Sequence, residues 1–402
     1  MQDKTMKNKN ILISGASIGG PALAYWLARY GFHPTVVEQA PGLREGGYAI
    51  DIRGAARDVS ERMGIMERVR EATTKTRGMS FVNSANKVQA NMSADQLGGE
   101  GIISEFEILR GDLSHILYAA TKDTTEYIFN DSITSLVQSE DGVRVTFRRS
   151  EPRTFDLVIG ADGLHSNVRA LTFGDESQFI HHLGYYVSIF TAADHLHLDR
   201  WQLVYNMPGK LAGIYSSRQN NEAKVMFYFT SPQIAYDRHD SREQKEIVAK
   251  MFAGEGWEIP QLLKAMQDAP DFYFDSISLI QMPCWSKGRV SLVGDAGYCP
   301  SPLSGQGTNL ALVGAYVLAG ELKDAGGDYH TAFARYEQAM REYVERNQKA
   351  AREGGQWFVA PTRLMIWFRN LNISMLPYLP WRGLIVKAIQ QQYAITLKNY
   401  DG

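Results

Sequence analysis

The chain has 402 residues, 44% hydrophobic and 21% charged, with a formal net charge of −2 and two cysteines, Cys284 and Cys299. This is globular composition rather than disorder. The lack of a Lys and Arg surplus argues against a nucleic-acid binder, and two cysteines are too few for a disulfide framework or a zinc site. The length predicts two or three domains sharing a long core, and the scarcity of cysteine a reducing, cytoplasmic setting.

Met1 to Asn10 is polar and mixed in charge, unlike a signal peptide. No uncharged apolar run reaches the roughly eighteen residues of a spanning helix, so a membrane protein is not expected. The first elements read as a strand (Ile11 to Ser14), a Gly-rich turn, and a helix with Leu23 and Leu27 on one face beside Ala24 and Ala28. Gly31 ends that helix, and a second strand runs from Thr35 to Glu38, completing a βαβ unit. A helix from Gly111 to about Lys122 follows, then a hairpin: Ile133 to Gln138, an Asp141-Gly142 turn, and Val143, Val145 and Phe147 alternating with polar residues. Leu157 to Ile159 is a buried strand entering Gly160-Ala161-Asp162-Gly163.

The middle of the chain changes character. Tyr185 to Thr191, Trp201 to Met207, Leu211 to Ser216 and Ala223 to Thr230 read as successive strands, with Asn220-Asn221 at a turn. Ser241 and Gln244 form a capping-box pattern ahead of a helix carrying Ile247, Val248, Met251 and Phe252. Phe272 to Met282 and Val290 to Val293 are further strands, and helices dominate after Gly307. The tail after Gln356 carries Trp357, Phe358, Trp367, Phe368 and Trp381 among Arg and Lys. It fits helices covering a neighbouring domain's apolar surface, with a helix lying on a membrane as the alternative.

Three motifs carry chemistry. Gly15-Ala16-Ser17-Ile18-Gly19-Gly20 sits between strand and helix, where a dinucleotide fingerprint belongs. Gly15 allows the tight turn, Gly20 the close helix–strand approach, and Ser17 replaces the usual second glycine. The helix N-terminus suits phosphate, and Glu38, ending the second strand, stands where an acid binds ribose hydroxyls. The second motif is Asp162-Gly163-Leu164-His165-Ser166-Asn167-Val168-Arg169. The third is Gly294-Asp295-Ala296, continued by Pro302-Leu303-Ser304-Gly305-Gln306-Gly307-Thr308-Asn309.

In this order and spacing the three segments resemble the flavoprotein aromatic hydroxylase family of the para-hydroxybenzoate hydroxylase type, over nearly the whole chain. The resemblance implies an α/β fold (α+β overall). A Rossmann-like FAD-binding domain would span 1–75, 101–175 and 283–350. An inserted antiparallel-sheet substrate domain would span 76–100 and 176–282, followed by a C-terminal helical segment, 351–402. It implies FAD held through Asp295 at the ribityl chain and through backbone at Gly294, Pro302, Gly305 and Gly307. Asp162 would serve both FAD and NAD(P)H, with Ser166 and Arg169 bracing its turn. The family usually has His where Tyr298 stands.

Gly46 to Gly54, Glu107 to Leu113 and Tyr298 to Gly307 more closely resemble the tetracycline-inactivating flavin monooxygenases. On that likeness Arg44 meets the nicotinamide cofactor, and Asp51 and Arg110 meet FAD. No second Gly-rich fingerprint follows a strand, so NAD(P)H is expected to dock at the flavin without a domain of its own. The implied reaction is oxygen transfer from O2, through a flavin C4a-hydroperoxide, to an aromatic or polycyclic small molecule. The flavin carries the chemistry, so no catalytic side chain and no metal are expected. Candidate substrate contacts are Tyr186, Ser188, Tyr205, Lys210, Tyr215, Met226 and Tyr228. Rival readings are a biosynthetic polyketide or phenol hydroxylase, a Baeyer–Villiger-type oxygenase, and a flavin halogenase suggested by Trp257-Glu258-Ile259-Pro260. A non-catalytic binding protein on the same scaffold is a further rival.

Overall fold

A computed structural model describes residues 6–43, 47–94, 106–216, 221–378, 380, 387 and 390–401. Arg44, Gly46, Asn220 and Trp381, singled out in the sequence, lie outside the described residues. The chain opens with β1 (Asn10–Ser14), α1 (Gly19–Arg29) and β2 (His33–Glu38). Next come β3 (Ala49–Asp51), α2 (Ala55–Arg62), α3 (Met66–Glu71), β4 (Gly78–Val82), β5 (Val88–Ser93), β6 (Glu107–Leu109) and α4 (Arg110–Ala119). They lead into β7 (Glu126–Phe129), β8 (Ile133–Gln138), β9 (Val143–Phe147), β10 (Arg153–Phe155), β11 (Leu157–Gly160) and α5 (Asn167–Phe173). The middle section holds β12 (Ile180–Ala193), β13 (Trp201–Met207), β14 (Lys210–Tyr215), β15 (Glu222–Thr230), α6 (Ser241–Phe252), α7 (Ile259–Asp268) and β16 (Tyr273–Ile280). The chain closes with β17 (Ser286–Lys287), β18 (Val290–Leu292), α8 (Asp295–Tyr298), α9 (Gly307–Asp324), α10 (Tyr329–Phe358) and α11 (Arg363–Met375).

The first sheet has strand order β17-β18-β11-β1-β2-β7, and all but the edge strand β17 run parallel. Ile11, Leu12 and Ile13 are fully buried, as a central parallel strand covered on both faces demands. α9 is apolar almost all round and buried along most of its length, packing on α1 with the Trp26 and Tyr316 rings 4.8 Å apart. The short pair β3–β6 and the sheet β10-β9-β8 complete this layer.

The second sheet has order β16-β12-β15-β14-β13-β4-β5. It is not wholly antiparallel, as the sequence reading had it: β13 pairs with β4 in parallel. Between β5 and β13 the chain runs through the first sheet, so no tight turn forces those strands to alternate in direction. One face of the sheet packs on α6 and α7, burying Phe190, Val225, Phe227 and Phe229 with Phe252 and Leu262. The cap of α6 is also corrected by one position. Asp240, not Ser241, accepts from the Arg242 and Glu243 N–H groups, while Gln244 is buried and donates to the Asp237 carbonyl.

Candidate cofactor site

β2, β1, β11 and β18 are consecutive neighbours running the same way, so Glu38, Gly15, Asp162 and Asp295 all emerge at one edge of the sheet. At about 4.8 Å per strand, these four positions step across some 15 Å of crevice at the strands' carboxyl ends. Such a crevice in an open α/β sheet is where dinucleotides bind.

Close approach explains the glycines. Gly15 has a φ of 107°, and a Cβ on it would stand 2.5 Å from the Ala161 carbonyl oxygen. A Cβ on Gly20 would overlap the Gly15 carbonyl oxygen, so α1 starts directly against the turn. Gly19 is where the motifs converge, its Cβ position lying 3.7 Å from Ala311, 3.8 Å from Ala161 and 3.9 Å from Val293. α1 has no side-chain cap and no acid in its first turn, which leaves its N-terminus open to an anion beside Ser17.

The two acids nearest this turn are engaged in building it. Glu38 accepts from the Ala16 N–H at 2.8 Å and the Ala40 N–H at 2.9 Å. Asp162 accepts from the Val168 N–H at 3.0 Å and from the Ser166 and Ser14 hydroxyls. Burial raises its pKa, and these hydrogen bonds oppose the shift. Arg169, fully buried, donates to the Ala296 and Leu164 carbonyls and to Glu176, which ties the second motif to the third. The bracing expected of Ser166 and Arg169 is thus visible in these contacts.

Asp295 behaves differently. Its Oδ1 is buried and finds no hydrogen-bond partner among the described residues. That oxygen lies 3.6 Å from where a Gly307 Cβ would be. Gly307 opens α9, an 18-residue helix with no side-chain cap and no acid in its first turn. An orphaned carboxylate oxygen beside an uncapped helix start is a site made for a group that donates to the one and is held by the other. Burial raises the Asp295 pKa, opposed by the Arg110 guanidinium and by the neighbouring Cys299 thiol. Arg110 in turn is held up by Tyr48, whose ring its guanidinium faces at 5.8 Å, against the effect of burial and with help from Asp295. The loop between is fixed by Ser301, at a φ of 70°, whose hydroxyl accepts from the Leu303 N–H, by the short helix beginning at Pro302, and by Gly305 in the left-handed region. Gly294 leaves room for Ala311, 3.2 Å from its Cβ position. The residues present therefore fit a flavin dinucleotide.

Asp51, which the resemblance assigns to FAD, stands in a cluster beside this crevice whose mutual contacts the sequence did not show. Asp51 lies opposite Glu107 across β3–β6, and Arg53 bonds Asp51 at 2.8 and 3.1 Å. Burial raises the pKa of both carboxyls, opposed at Asp51 by Arg53 and reinforced at Glu107 by Asp51. Asn309 receives the Arg53 backbone N–H at 3.1 Å, so α9 and this cluster are joined. No short spacing connects positions 51, 107 and 309, so only the β3–β6 pairing and the bond to α9 reveal that they meet. Tyr298 is remote from such a role: it is buried with its hydroxyl 2.8 Å from that of Tyr336, beneath Trp285.

His165 sits between Glu176 at 2.9 Å and Asp275 at 3.2 Å, linking the second motif to the second sheet. Burial lowers its pKa, but the hydrogen bonds to Asp275 and Glu176 outweigh that and raise it to about 8. A raised folded pKa stabilises below the unfolded value of about 6.5 and is lost as pH rises through the folded one. We expect the melting temperature to fall more steeply between about pH 6.5 and 8.5 in the parent than in His165→Gln. Parallel Tm–pH curves would refute this.

Strand parity sorts the seven substrate candidates. Tyr186 stacks between Phe229 and Phe274, Ser188 shares its face, Tyr205 meets Trp257, and Lys210 pairs with Glu255. These four belong to the helix-covered face. Tyr215, Met226 and Tyr228 face the other way: Tyr215 accepts from the Ala49 N–H at 3.0 Å, and Tyr228 meets Phe358 edge-on at 5.0 Å. The halogenase-like Trp257 is likewise on the helix-covered side.

A parallel sheet with such a crevice at its strand ends is the architecture of a dinucleotide-binding domain. The sequence matches the family described as FAD binding domain over residues 8–347, and the chain belongs to that family. It is 50% identical over 341 residues to an uncharacterized protein of Mycobacterium tuberculosis (strain ATCC 25618 / H37Rv), covering 85% of this chain and 92% of that protein. It is 44% identical over 343 residues to a flavin-dependent monooxygenase of Legionella longbeachae serogroup 1 (strain NSW150), covering 85% and 88%. The crystal structure of tetracycline destructase Tet(55) superposes with a TM-score of 0.85 at 40% identity, covering 100% of each chain. The chain is an FAD-dependent monooxygenase.

Proposed function

We propose that this enzyme uses NAD(P)H and O2 to add one oxygen atom to a polycyclic substrate of the tetracycline kind, inactivating it. The likeness to Tet(55), 40% identical along the full length of both chains, carries the reading. Bound FAD supplies the electron transfer and the activation of O2. The protein's own groups position that cofactor. The α1 N-terminus and Ser17 would receive the pyrophosphate, Asp295 would accept a hydrogen bond from a ribityl hydroxyl, and the α9 N-terminus would favour negative charge on the ring. Gly294, Pro302, Gly305 and Gly307 shape the loop around it, with Glu38, Asp51, Arg110 and Asp162 completing the cradle. Arg44 is assigned to the nicotinamide cofactor.

Substrate is assigned to the sheet face that carries Tyr215, Met226 and Tyr228. There two tyrosine rings and a thioether offer apolar contact to a flat ring system. Tyr228→Ala is expected to raise KM for tetracycline about tenfold with flavin content unchanged. Tyr205→Ala is expected to lower Tm and leave KM alone. The same KM in both variants would place substrate elsewhere. The decisive measurement is NAD(P)H oxidation with and without tetracycline and a panel of polyphenols, with product mass. Gain of a single oxygen by tetracycline supports the proposal. Stimulation only by other aromatics overturns it in favour of a biosynthetic hydroxylase.

A further inference from the structure

α11 is turned the wrong way round for a surface helix. Its inner side, with Ile373 and Arg369 buried, packs on β5 and β13. Arg369 donates to the Asn206 side chain and to the Phe358 carbonyl, and its guanidinium lies 4.5 Å from the centre of the Phe81 ring. The opposite side carries Leu364, Trp367, Phe368, Leu371 and Met375, which are 73%, 59%, 59%, 43% and 47% exposed. At 3.6 residues per turn these five fall within an arc of about 100°. A surface helix normally presents polar residues there. An apolar stripe of this kind marks an interaction surface.

Charge indicates what covers it. Residues 354–400 contain five basic residues and no acidic one. The formal charge of −2 thus divides into +5 for this stretch and −7 for the rest. Arg369 is turned inward, and Lys398 is paired with Asp324 at 2.6 Å. Arg363 and Lys387 are exposed. A second copy of the same face would bring like charges together and offer no carboxylate to them. An anionic lipid surface complements both the apolar stripe and the charge, and it repels the acidic remainder, which fixes orientation. Thirteen residues are too few to cross a bilayer, and among the described residues no helix is long and apolar enough to do so. Trp357, also exposed, stands just before α11 and suits the headgroup boundary.

We propose that α11 is an interfacial helix that docks the enzyme, by its Leu364–Trp367–Phe368–Leu371–Met375 face, onto anionic membrane. The docking is independent of which substrate the enzyme oxidises. The test is flotation of the full-length, FAD-loaded protein with vesicles of phosphatidylcholine alone or mixed with phosphatidylglycerol. At least tenfold more protein should float with the anionic vesicles, and less as salt is raised. A Leu364→Glu/Phe368→Glu double variant should lose this while keeping its flavin absorbance and Tm. Failure of the parent to float with anionic vesicles overturns the proposal, as does equal binding to both compositions or undiminished binding by the variant. A parent dimer that the double variant dissociates would instead make a second copy the occupant.

Discussion

Gly20→Val is expected to yield little soluble protein, and what remains should lack flavin absorbance. The reason is backbone against backbone. The first side-chain carbon at position 20 overlaps the Gly15 carbonyl oxygen, and Gly15 is itself pinned by the Ala161 carbonyl. Neither oxygen belongs to a side chain that can rotate away, so α1 would have to back off β1, opening the interface it shares with α9. Even Gly20→Ala is expected to cost about 3 kcal/mol, at the upper end of ordinary overpacking. Gly31→Ala is the matched control. That glycine has a φ of 84° with nothing near its Cβ position, so only backbone strain of about 1–2 kcal/mol is expected. Equal Tm losses in Gly20→Ala and Gly31→Ala would show that close packing is not what position 20 requires.

Asp295→Ala is expected to weaken FAD binding by about ten- to a hundred-fold, the loss of one charge-assisted hydrogen bond of about 1.5–3 kcal/mol. Its effect on the unliganded protein has the opposite sign. Burial raises the Asp295 pKa, so the folded form holds this proton more tightly than the unfolded form. The group therefore costs stability at neutral pH, and the cost is relieved as pH falls through the folded pKa. The Oδ1 atom also has no bond within the described residues to lose. Flavin-stripped Asp295→Ala should accordingly melt at the same temperature as stripped parent or above it, while the FAD-loaded pair should show the reverse order. Unchanged FAD affinity, or a destabilised stripped variant, would remove Asp295 from the cofactor site.

The parts of the site legible in sequence are those at strand ends. Gly15, Glu38, Asp162 and Asp295 each follow a short apolar run, and a parallel sheet brings such ends to one edge whatever their separation in the chain. Faces were not legible. Tyr205 and Tyr228 both sit in alternating strands, but alternation says only that two faces differ, not which one α6 and α7 will cover. The parallel β4–β13 pair was hidden for a similar reason: strand direction across a long excursion depends on tertiary packing. Asp51 was picked out by resemblance, but its meeting with Arg53, Glu107 and Asn309 through β3–β6 and α9 is written in no local pattern. The α6 cap slipped by one because Asp240 and Ser241 are both good capping residues, and the chain uses the carboxylate.

The strand order of the first sheet has a bearing on biosynthesis. β1 leaves the ribosome well before β11, its partner on one side, which comes nearly 150 residues later, and the flanking β18 comes about 130 after that. Asp295 and the start of α9 follow later still. A nascent chain that has not reached Gly307 lacks the second helix N-terminus, and one that has not reached Asp295 lacks its carboxylate too, so cofactor capture is expected late in synthesis. Until then the apolar β1 edge waits for a neighbour not yet translated, an opening for aggregation or chaperone binding.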